Sequence, residues 1–260
     1  MSDQPDLAPE SIEAAPEPIE VALPALTAPP SPRRAGLLDL ALGVPLIWLT
    51  VIVTQGLLLA IFGASISPTM IVLGGVADGI FTTSVAWAFV CLRHGRGFFD
   101  GFRITWPGAR VALLSLGVGI GGAAAATLLT ARYSTGESLL SELASTPEGL
   151  LAVSFVAVTL PVVEELYYRG FIFPVLKDLG LRHLPGRLGP WLAVAVVALW
   201  FGAVHVPQLV KDPIGIPVVA TMGLIWTIMR LKTDSLTPSL LSHWSYNASL
   251  VTISWLTLEP

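Results

Sequence analysis

A succession of long apolar segments constrains the fold of this chain more than any other feature of its sequence. Each segment approaches the ~20 residues that a helix needs to cross the hydrocarbon core of a bilayer. The chain is 53% hydrophobic and 12% charged over its 260 residues, whereas a soluble domain carries about 25% charged residues. The sequence therefore predicts an all-α, polytopic transmembrane helical bundle and excludes a soluble enzyme.

The apolar segments predict seven membrane spans, with eight as the alternative. The fourth segment is too long for one straight crossing. It is predicted either as a tilted helix whose end leaves the membrane or as a span followed by a short extra helix. The seven predicted segments cover residues 36–63, 69–92, 110–131, 148–179, 190–210, 213–231 and 237–258.

Residues 1–35 differ from the apolar domain predicted for residues 36–260. They contain 8 of the 21 prolines and six acidic residues, and they lack aromatic side chains. Such a composition buries too little apolar surface to offset the entropy of ordering, which predicts a disordered tail. A solvated spacer is favoured for this tail over a segment that recruits a partner.

The positions of the basic residues predict the orientation of the bundle. With the N-terminus in the cytoplasm, eleven of the 14 Lys and Arg residues fall on the cytoplasmic side. Arg132 and Lys211 fall outside, and Arg169 lies within a span. This is the bias of the positive-inside rule. The net charge of −4 provides no basic surface for nucleic acid, and a single cysteine excludes an intramolecular disulfide framework.

The fourth segment contains two adjacent glutamates and an arginine inside an apolar run. Ionisable side chains are costly within a span, so each needs a partner or a function. On a helix Glu165 and Arg169 are four residues apart and can form an ion pair. Glu164 then lies about 100° round the helix without that arginine, as a general acid or base requires. A purely structural polar cluster is the alternative.

Histidines occur in two further segments. His205 lies near the end of the fifth, and His243 and Asn247 share a face of the seventh. Taken singly, each is typical of helix packing. However, Glu164 and His205 each lie 15 residues from the same cytoplasmic connection, about 22 Å along antiparallel helices. His243 and Asn247 lie about 8–14 Å from that side. This depth is shallower than that of Glu164 and His205, and the start of the seventh segment is less sharply defined. These polar groups are therefore predicted to converge on one cavity.

These residue types suit the hydrolysis of an amide by an activated water. A carboxylate and a histidine can hold and deprotonate the water, while a second histidine and an asparagine amide can donate hydrogen bonds to the developing oxyanion. The sequence contains neither an H-E-x-x-H zinc helix nor a G-x-S-x-G nucleophile elbow.

The three motifs also resemble those of a known family. They are Glu164-Glu165-x-x-x-Arg169, Phe201-x-x-x-His205 and His243-x-x-x-Asn247. In this order and in apolar helices they are similar to the motifs of the CPBP family, which includes type II CAAX prenyl endopeptidases and bacteriocin-processing or self-immunity proteins. The resemblance covers about residues 164–247, within a motif-bearing core of about residues 148–258.

The resemblance implies a role for each motif residue. It implies that Glu164 activates water with help from His205, that His243 and Asn247 form the oxyanion hole, that Glu165 and Arg169 shape the site, and that Phe201 packs beneath His205. No cofactor is favoured. Zinc is the alternative, with Glu164, His205 and His243 as its ligands, because the family is often named as metalloproteases.

The favoured function is that of a CAAX-type intramembrane endopeptidase acting on a membrane-associated or lipidated peptide. The family also implies a bacterial cytoplasmic membrane, with the N-terminus in the cytoplasm. A non-proteolytic membrane scaffold or self-immunity protein is the first alternative. A proton-coupled transporter is the second, and it is less favoured because the polar motifs cluster in one half of the chain.

Overall fold

The computed structural model describes residues 35–63, 67–134, 142–209, 212 and 214–257, and these contain helices and connections but no strand. All but the last residue of the predicted tail lie outside the described residues. A 3-10 turn spans Leu92–His94, and a π-helical segment spans Leu166–Ile172. The α-helices are α1 (Leu37–Phe62), α2 (Pro68–Val90), α3 (Phe98–Phe102), α4 (Ala109–Tyr133), α5 (Pro147–Glu165), α6 (Phe173–His183), α7 (Leu188–Val204), α8 (Val206–Leu209), α9 (Gly215–Thr233) and α10 (Thr237–Thr257).

Local sequence determines where two of the long helices begin. The Ser67 side chain accepts a hydrogen bond from the backbone N–H of Met70, and that of Thr146 accepts one from Gly149. A proline follows each cap at the first helical position, where a missing N–H leaves no helical hydrogen bond unmade. Ser-Pro and Thr-Pro therefore start α2 and α5, each one residue before the start of the predicted segment.

Among the residues that the structure describes, five helical stretches are long and apolar enough to cross a membrane. They are Leu37–Phe62, Pro68–His94, Ala109–Tyr133, Pro147–His183 and Gly215–Thr233. The predicted count of seven, or eight, is therefore not confirmed, although a helix lies at every predicted segment.

The two remaining helices fall short of a full span for different reasons. Helix α7 has 17 residues, about 26 Å of rise against a hydrocarbon core of ~30 Å. Helix α10 has 21 residues, but its serines, threonines, histidine and asparagine lower its hydropathy. The polar side chains that a buried site needs thus weaken the signal by which a span is recognised.

Large apolar side chains cover the outside of the bundle. Leu113, Leu128 and Leu199 are 68%, 71% and 70% exposed, and many other leucines, isoleucines and tryptophans are exposed on the long helices. A water-soluble protein rarely exposes such extensive apolar surface, whereas lipid tails solvate it without cost. Together with the candidate spans, this surface shows that the chain is an integral membrane protein.

The helices that carry the motifs pack together. Helix α10 lies against α4 and α5, α9 lies against α7, and α2 lies against α1 and α5. Gly119 in the glycine-rich α4 permits the closest of these approaches, because a Cβ there would clash with the Ser242 carbonyl and the Ser245 hydroxyl. The small residue therefore lets α10 sit deep in the bundle, with its polar face towards the core.

The predicted fourth segment is one continuous helical stretch with a change of pitch. Helix α5 ends at Glu165, the π-helical segment follows, and α6 then continues to His183. All seven residues of the π-helical segment are buried. A π-helical turn is rare and frequently occurs at a functional site, and this one begins directly after the two glutamates.

Candidate active site

A fully buried ion pair forms the base of the candidate site. Arg169 Nη1 lies 2.9 Å from Glu165 Oε1, and both side chains have no exposed surface. The same carboxylate oxygen accepts a hydrogen bond from His243 Nδ1 at 3.0 Å. The i, i+4 pairing predicted from the sequence is therefore present, and it also holds a histidine from α10.

The remaining donors of Arg169 bond to α9. Its Nη2 donates to the Gly223 carbonyl at 2.9 Å, and its Nε donates to the Thr227 hydroxyl at 3.2 Å. In the other direction, Arg230 Nε donates to the Arg169 carbonyl at 3.2 Å. A buried guanidinium is tolerated when its charge and its N–H groups are satisfied, and these bonds fix the π-helical segment against α9.

Glu164 occupies a different environment from its neighbour Glu165. Its side chain is 23% exposed, and that of His205 is 18% exposed. His205 Nε2 lies 4.0 Å from Glu164 Oε1, and His243 Nε2 lies 3.6 Å from Glu164 Oε2. The structure thus places the three sequence motifs around one carboxylate that a small molecule can reach.

A backbone hydrogen bond fixes the hydrogen on His205. Its Nδ1 lies 2.7 Å from the Phe201 carbonyl oxygen. A carbonyl only accepts hydrogen bonds, so Nδ1 must carry the hydrogen, and the neutral ring presents a lone pair at Nε2. That lone pair is on the side of the ring that faces Glu164.

Aromatic rings hold both imidazoles in place. Phe201 packs against His205 with ring centroids 4.6 Å apart, as the resemblance implies. Trp226 stacks on His243 at 3.8 Å with an interplanar angle of 19°. Arg169 Cζ lies 4.6 Å from the Phe201 centroid and 5.6 Å from that of Trp226, so the guanidinium lies within range of cation–π attraction from both rings.

Asn247 makes a helix–helix contact. Its Nδ2 donates to the Ala157 carbonyl of α5 at 3.0 Å. Ala157 lies seven residues before Glu164, about 10 Å of helical rise. The oxyanion-hole role implied for Asn247 stays a prediction.

The zinc alternative predicts Glu164, His205 and His243 as the three ligands. Two imidazoles and a carboxylate are a donor set that zinc accepts. Among the residues that the structure describes, however, no group of three His, Cys, Asp or Glu side chains is arranged to hold a metal ion. The description as a metalloprotease therefore has no support here, and the zinc alternative stays a prediction.

The motif-bearing part of the chain matches a known family model. Residues 146–249 match the family model described as type II CAAX prenyl endopeptidase Rce1-like. They form an Rce1-like domain. The match supports membership of the CPBP family, in agreement with the three motifs, and it supports a protease function. The match does not extend to α1–α4. No curated protein and no solved structure gives a significant match to the chain.

Sequence reasoning missed the contribution of the sixth predicted segment to the Rce1-like domain. Gly223, Trp226, Thr227 and Arg230 are all buried on α9 and contact Arg169 or His243. Their spacing of three and four residues places them on one helical face. The sequence signal for this contribution was one face of an apolar helix that carries a tryptophan, a threonine and an arginine.

Proposed function

We propose that this protein is a CAAX-type intramembrane endopeptidase in which Glu164 and His205 activate a water molecule. The observation that carries the proposal is the position of the Glu164 carboxylate. It lies 4.0 Å from an imidazole nitrogen whose lone pair is free to accept a hydrogen bond. The Rce1-like domain supports the reaction class, and the geometry supports the assignment of roles.

The 4.0 Å separation suits one bridging water. A water that donates one hydrogen to each of two acceptors at ~2.8 Å holds those acceptors roughly 4–4.5 Å apart. Glu164 Oε1 and His205 Nε2 are both acceptors. Their water therefore keeps an oxygen lone pair for attack on a peptide carbonyl carbon, while its proton passes to Glu164 and then to the departing amine.

His243 is proposed to stabilise the oxyanion that this attack creates. Its Nδ1 is bonded to Glu165, which fixes the ring with Nε2 beside Glu164. An N–H donor on Nε2 that is preorganised in this way stabilises negative charge that develops in the transition state.

A lipidated C-terminal peptide is the proposed substrate. The family description names CAAX prenyl endopeptidases, which remove the three residues that follow a lipidated cysteine. Exposed apolar side chains surround the bundle, so a lipid-anchored substrate can approach through the bilayer. The N-terminus is proposed to be cytoplasmic, because the connections on that side carry the larger share of Lys and Arg.

The experiment that tests this proposal compares two glutamates of α5. The full-length protein in lipid nanodiscs is mixed with a farnesylated peptide that ends in a CAAX sequence, and mass spectrometry measures the released tripeptide. Glu164→Gln keeps the shape of the side chain but removes the base, and it should lower the cleavage rate about 10²–10⁴-fold. Glu148→Gln changes an exposed residue in the first turn of α5 and should leave the rate unchanged.

The alternatives predict different results in the same assay. Undiminished cleavage by Glu164→Gln would contradict the assigned base. Equal peptide binding by both variants, without product from the wild type, would favour the scaffold or self-immunity alternative. Treatment with 1,10-phenanthroline should leave the wild-type rate unchanged, and loss of activity that zinc restores would replace the metal-free mechanism with the zinc alternative.

A further inference from the structure

A pocket that none of the motif glutamates or histidines lines lies between the chain that follows α2, the π-helical segment, α6 and the end of α9. It is partly open, and its cavity volume is about 40 Å³. We call it the basic pocket. Its charged lining consists of Arg96, Arg103, Lys177, Arg230, Asp178 and Asp234.

Cations outnumber carboxylates in the described lining of the basic pocket. Asp234 pairs with three cations: with Arg103, with Arg230 Nη1 at 3.0 Å, and with Lys177 Nζ at 3.8 Å. Arg96 adds a fourth cation, and Asp178 adds a second carboxylate. The fold gathers these cations in one place, although like charges repel one another.

The folded backbone holds these cations together. The Arg230 side chain is 3% exposed, and its Nε is bonded to the Arg169 carbonyl. The Arg103 carbonyl accepts a hydrogen bond from the Leu236 N–H at 2.9 Å. The Arg230 side chain is thus anchored within α9, and the backbone of Arg103 is bonded to the connection between α9 and α10. A preorganised set of donors loses little entropy when an anion binds.

The basic pocket also lies at a membrane boundary. Two candidate spans end at His94 and Thr233, directly before Arg96 and Asp234. Where apolar helices end, the surrounding layer contains lipid headgroups. Basic pockets between transmembrane helices at this level attract anionic headgroups.

We propose that the basic pocket binds a phosphate group. An anionic phospholipid headgroup and free phosphate are its two possible sources, and both present the oxygen acceptors that Arg and Lys recognise. This inference is independent of peptide cleavage, because none of the six charged side chains belongs to the proposed catalytic cluster.

Native mass spectrometry of the full-length protein in a neutral detergent tests this proposal. The probes are phosphatidylglycerol and phosphatidylcholine with the same acyl chains, and inorganic phosphate at constant ionic strength. Phosphatidylglycerol should bind more tightly than phosphatidylcholine. Displacement of bound phosphatidylglycerol by inorganic phosphate would show that the phosphate group alone suffices, whereas selective retention of the lipid would identify the headgroup as the source.

Two neighbouring residues provide variants with opposite expected effects. Lys177→Gln should weaken phosphatidylglycerol binding about fivefold, which is the worth of one cation near a membrane surface. Asp178→Asn should strengthen it by a similar factor. Arg182→Gln removes an exposed cation from the same helix outside the pocket and should have no effect.

Further variants separate a specific site from general surface charge. Arg96→Gln should weaken binding as Lys177→Gln does, and Lys177→Arg should restore it. The proposal is overturned if Arg182→Gln weakens binding as much as the pocket variants, or if Lys177→Gln and Arg96→Gln both bind phosphatidylglycerol as the wild type does. These outcomes are read without peptide substrate, so they do not depend on protease activity.

Discussion

Two clusters in this protein combine a carboxylate, an arginine and a histidine, yet they differ in their neighbours. In the first, Asp39 Oδ1 lies 2.9 Å from Arg93 Nε and Asp39 Oδ2 lies 3.2 Å from His94 Nε2. Asp39 Oδ2 also accepts a hydrogen bond from the Gly36 N–H at 2.7 Å. This cluster caps α1 and ties it to the turn that follows α2.

The second cluster, formed by Glu165, Arg169 and His243, repeats these pairings in the core. Its carboxylate oxygen Oε1 likewise accepts from its own arginine and histidine. The difference is the neighbouring Glu164, a second carboxylate that faces two imidazole nitrogens across 3.6 and 4.0 Å. The comparison teaches that the residue types alone do not distinguish the two clusters. The additional acceptor beside the buried ion pair does, and the proposed reaction rests on it.

The largest expected contrast between the clusters concerns their histidines. His205→Phe preserves an aromatic ring against Phe201 but removes the nitrogen that shares the proposed water with Glu164. The cleavage rate should fall about 10²–10⁴-fold. His94→Phe removes the histidine of the first cluster and should leave the rate unchanged. The cleavage rate of each variant is measured as release of the C-terminal tripeptide. An equal loss of rate in both variants would contradict a catalytic role that is confined to the second cluster.

The arginines provide the next contrast, in stability instead of catalysis. Arg169→Met leaves the Glu165 charge buried without its guanidinium, which should destabilise the fold by about 3–5 kcal/mol. Arg93 is 45% exposed, so Arg93→Met should cost about 1 kcal/mol or less. Unfolding titrations in mixed micelles measure both values. Similar losses for the two variants would show that burial does not separate the clusters.

Sequence patterns predicted the pairings of the second cluster more readily than its surroundings. The i, i+4 spacing of Glu165 and Arg169 follows from helix geometry, and the matched depths of Glu164 and His205 indicated a shared cavity. The π-helical pitch after Glu165 was not predicted, because it depends on how the buried segment packs against α9. The hydrogen bond between Asn247 and Ala157 was likewise not predicted, since an amide on one face of α10 can turn towards either of the neighbouring helices, α4 or α5.

The span count likewise depends on tertiary packing as well as on the local sequence. All seven apolar segments contain helices near the predicted positions, since apolar runs of this length have few other solutions in a bilayer. Whether a helix crosses depends also on what it packs against. Helix α10 carries polar side chains that line the candidate site, so hydropathy alone does not identify it as a membrane span.

Trp226 offers a smaller effect within the second cluster. Its ring stacks on His243, and its Nε1–H donates to the Ser242 hydroxyl at 3.1 Å. Trp226→Leu should lower the cleavage rate about tenfold, because an aromatic contact of this kind contributes about 0.5–1.5 kcal/mol. Trp226→Phe retains a stacking ring and should recover most of the rate. Equal rates for the two variants would show that stacking does not position His243.

The smallest expected effect concerns Asp234, an exposed counterpart to both clusters. Burial would raise its pKa, but the hydrogen bond from Arg230 and the charges of Arg230, Lys177 and Arg103 outweigh burial and lower its pKa below the usual value. The ionised carboxylate therefore stabilises the fold above the unfolded-state pKa of ~3.9. This stabilisation is lost as the pH falls through the lowered pKa of the folded state.

Because the Asp234 side chain is 47% exposed, solvent screening should limit its contribution to about 1 kcal/mol or less. Asp234→Asn should therefore lower stability slightly at neutral pH and flatten the acid limb of the stability curve, measured as the unfolding midpoint between neutral and acidic pH. Asp100→Asn, at an exposed carboxylate of α3, provides the matched control and should leave that limb unchanged. If Asp234→Asn also leaves the acid limb unchanged, the ion pairs of Asp234 with its three cations do not stabilise the fold. This half-exposed carboxylate would then differ from the buried Asp39 and Glu165 in its contribution to stability as well as in its burial.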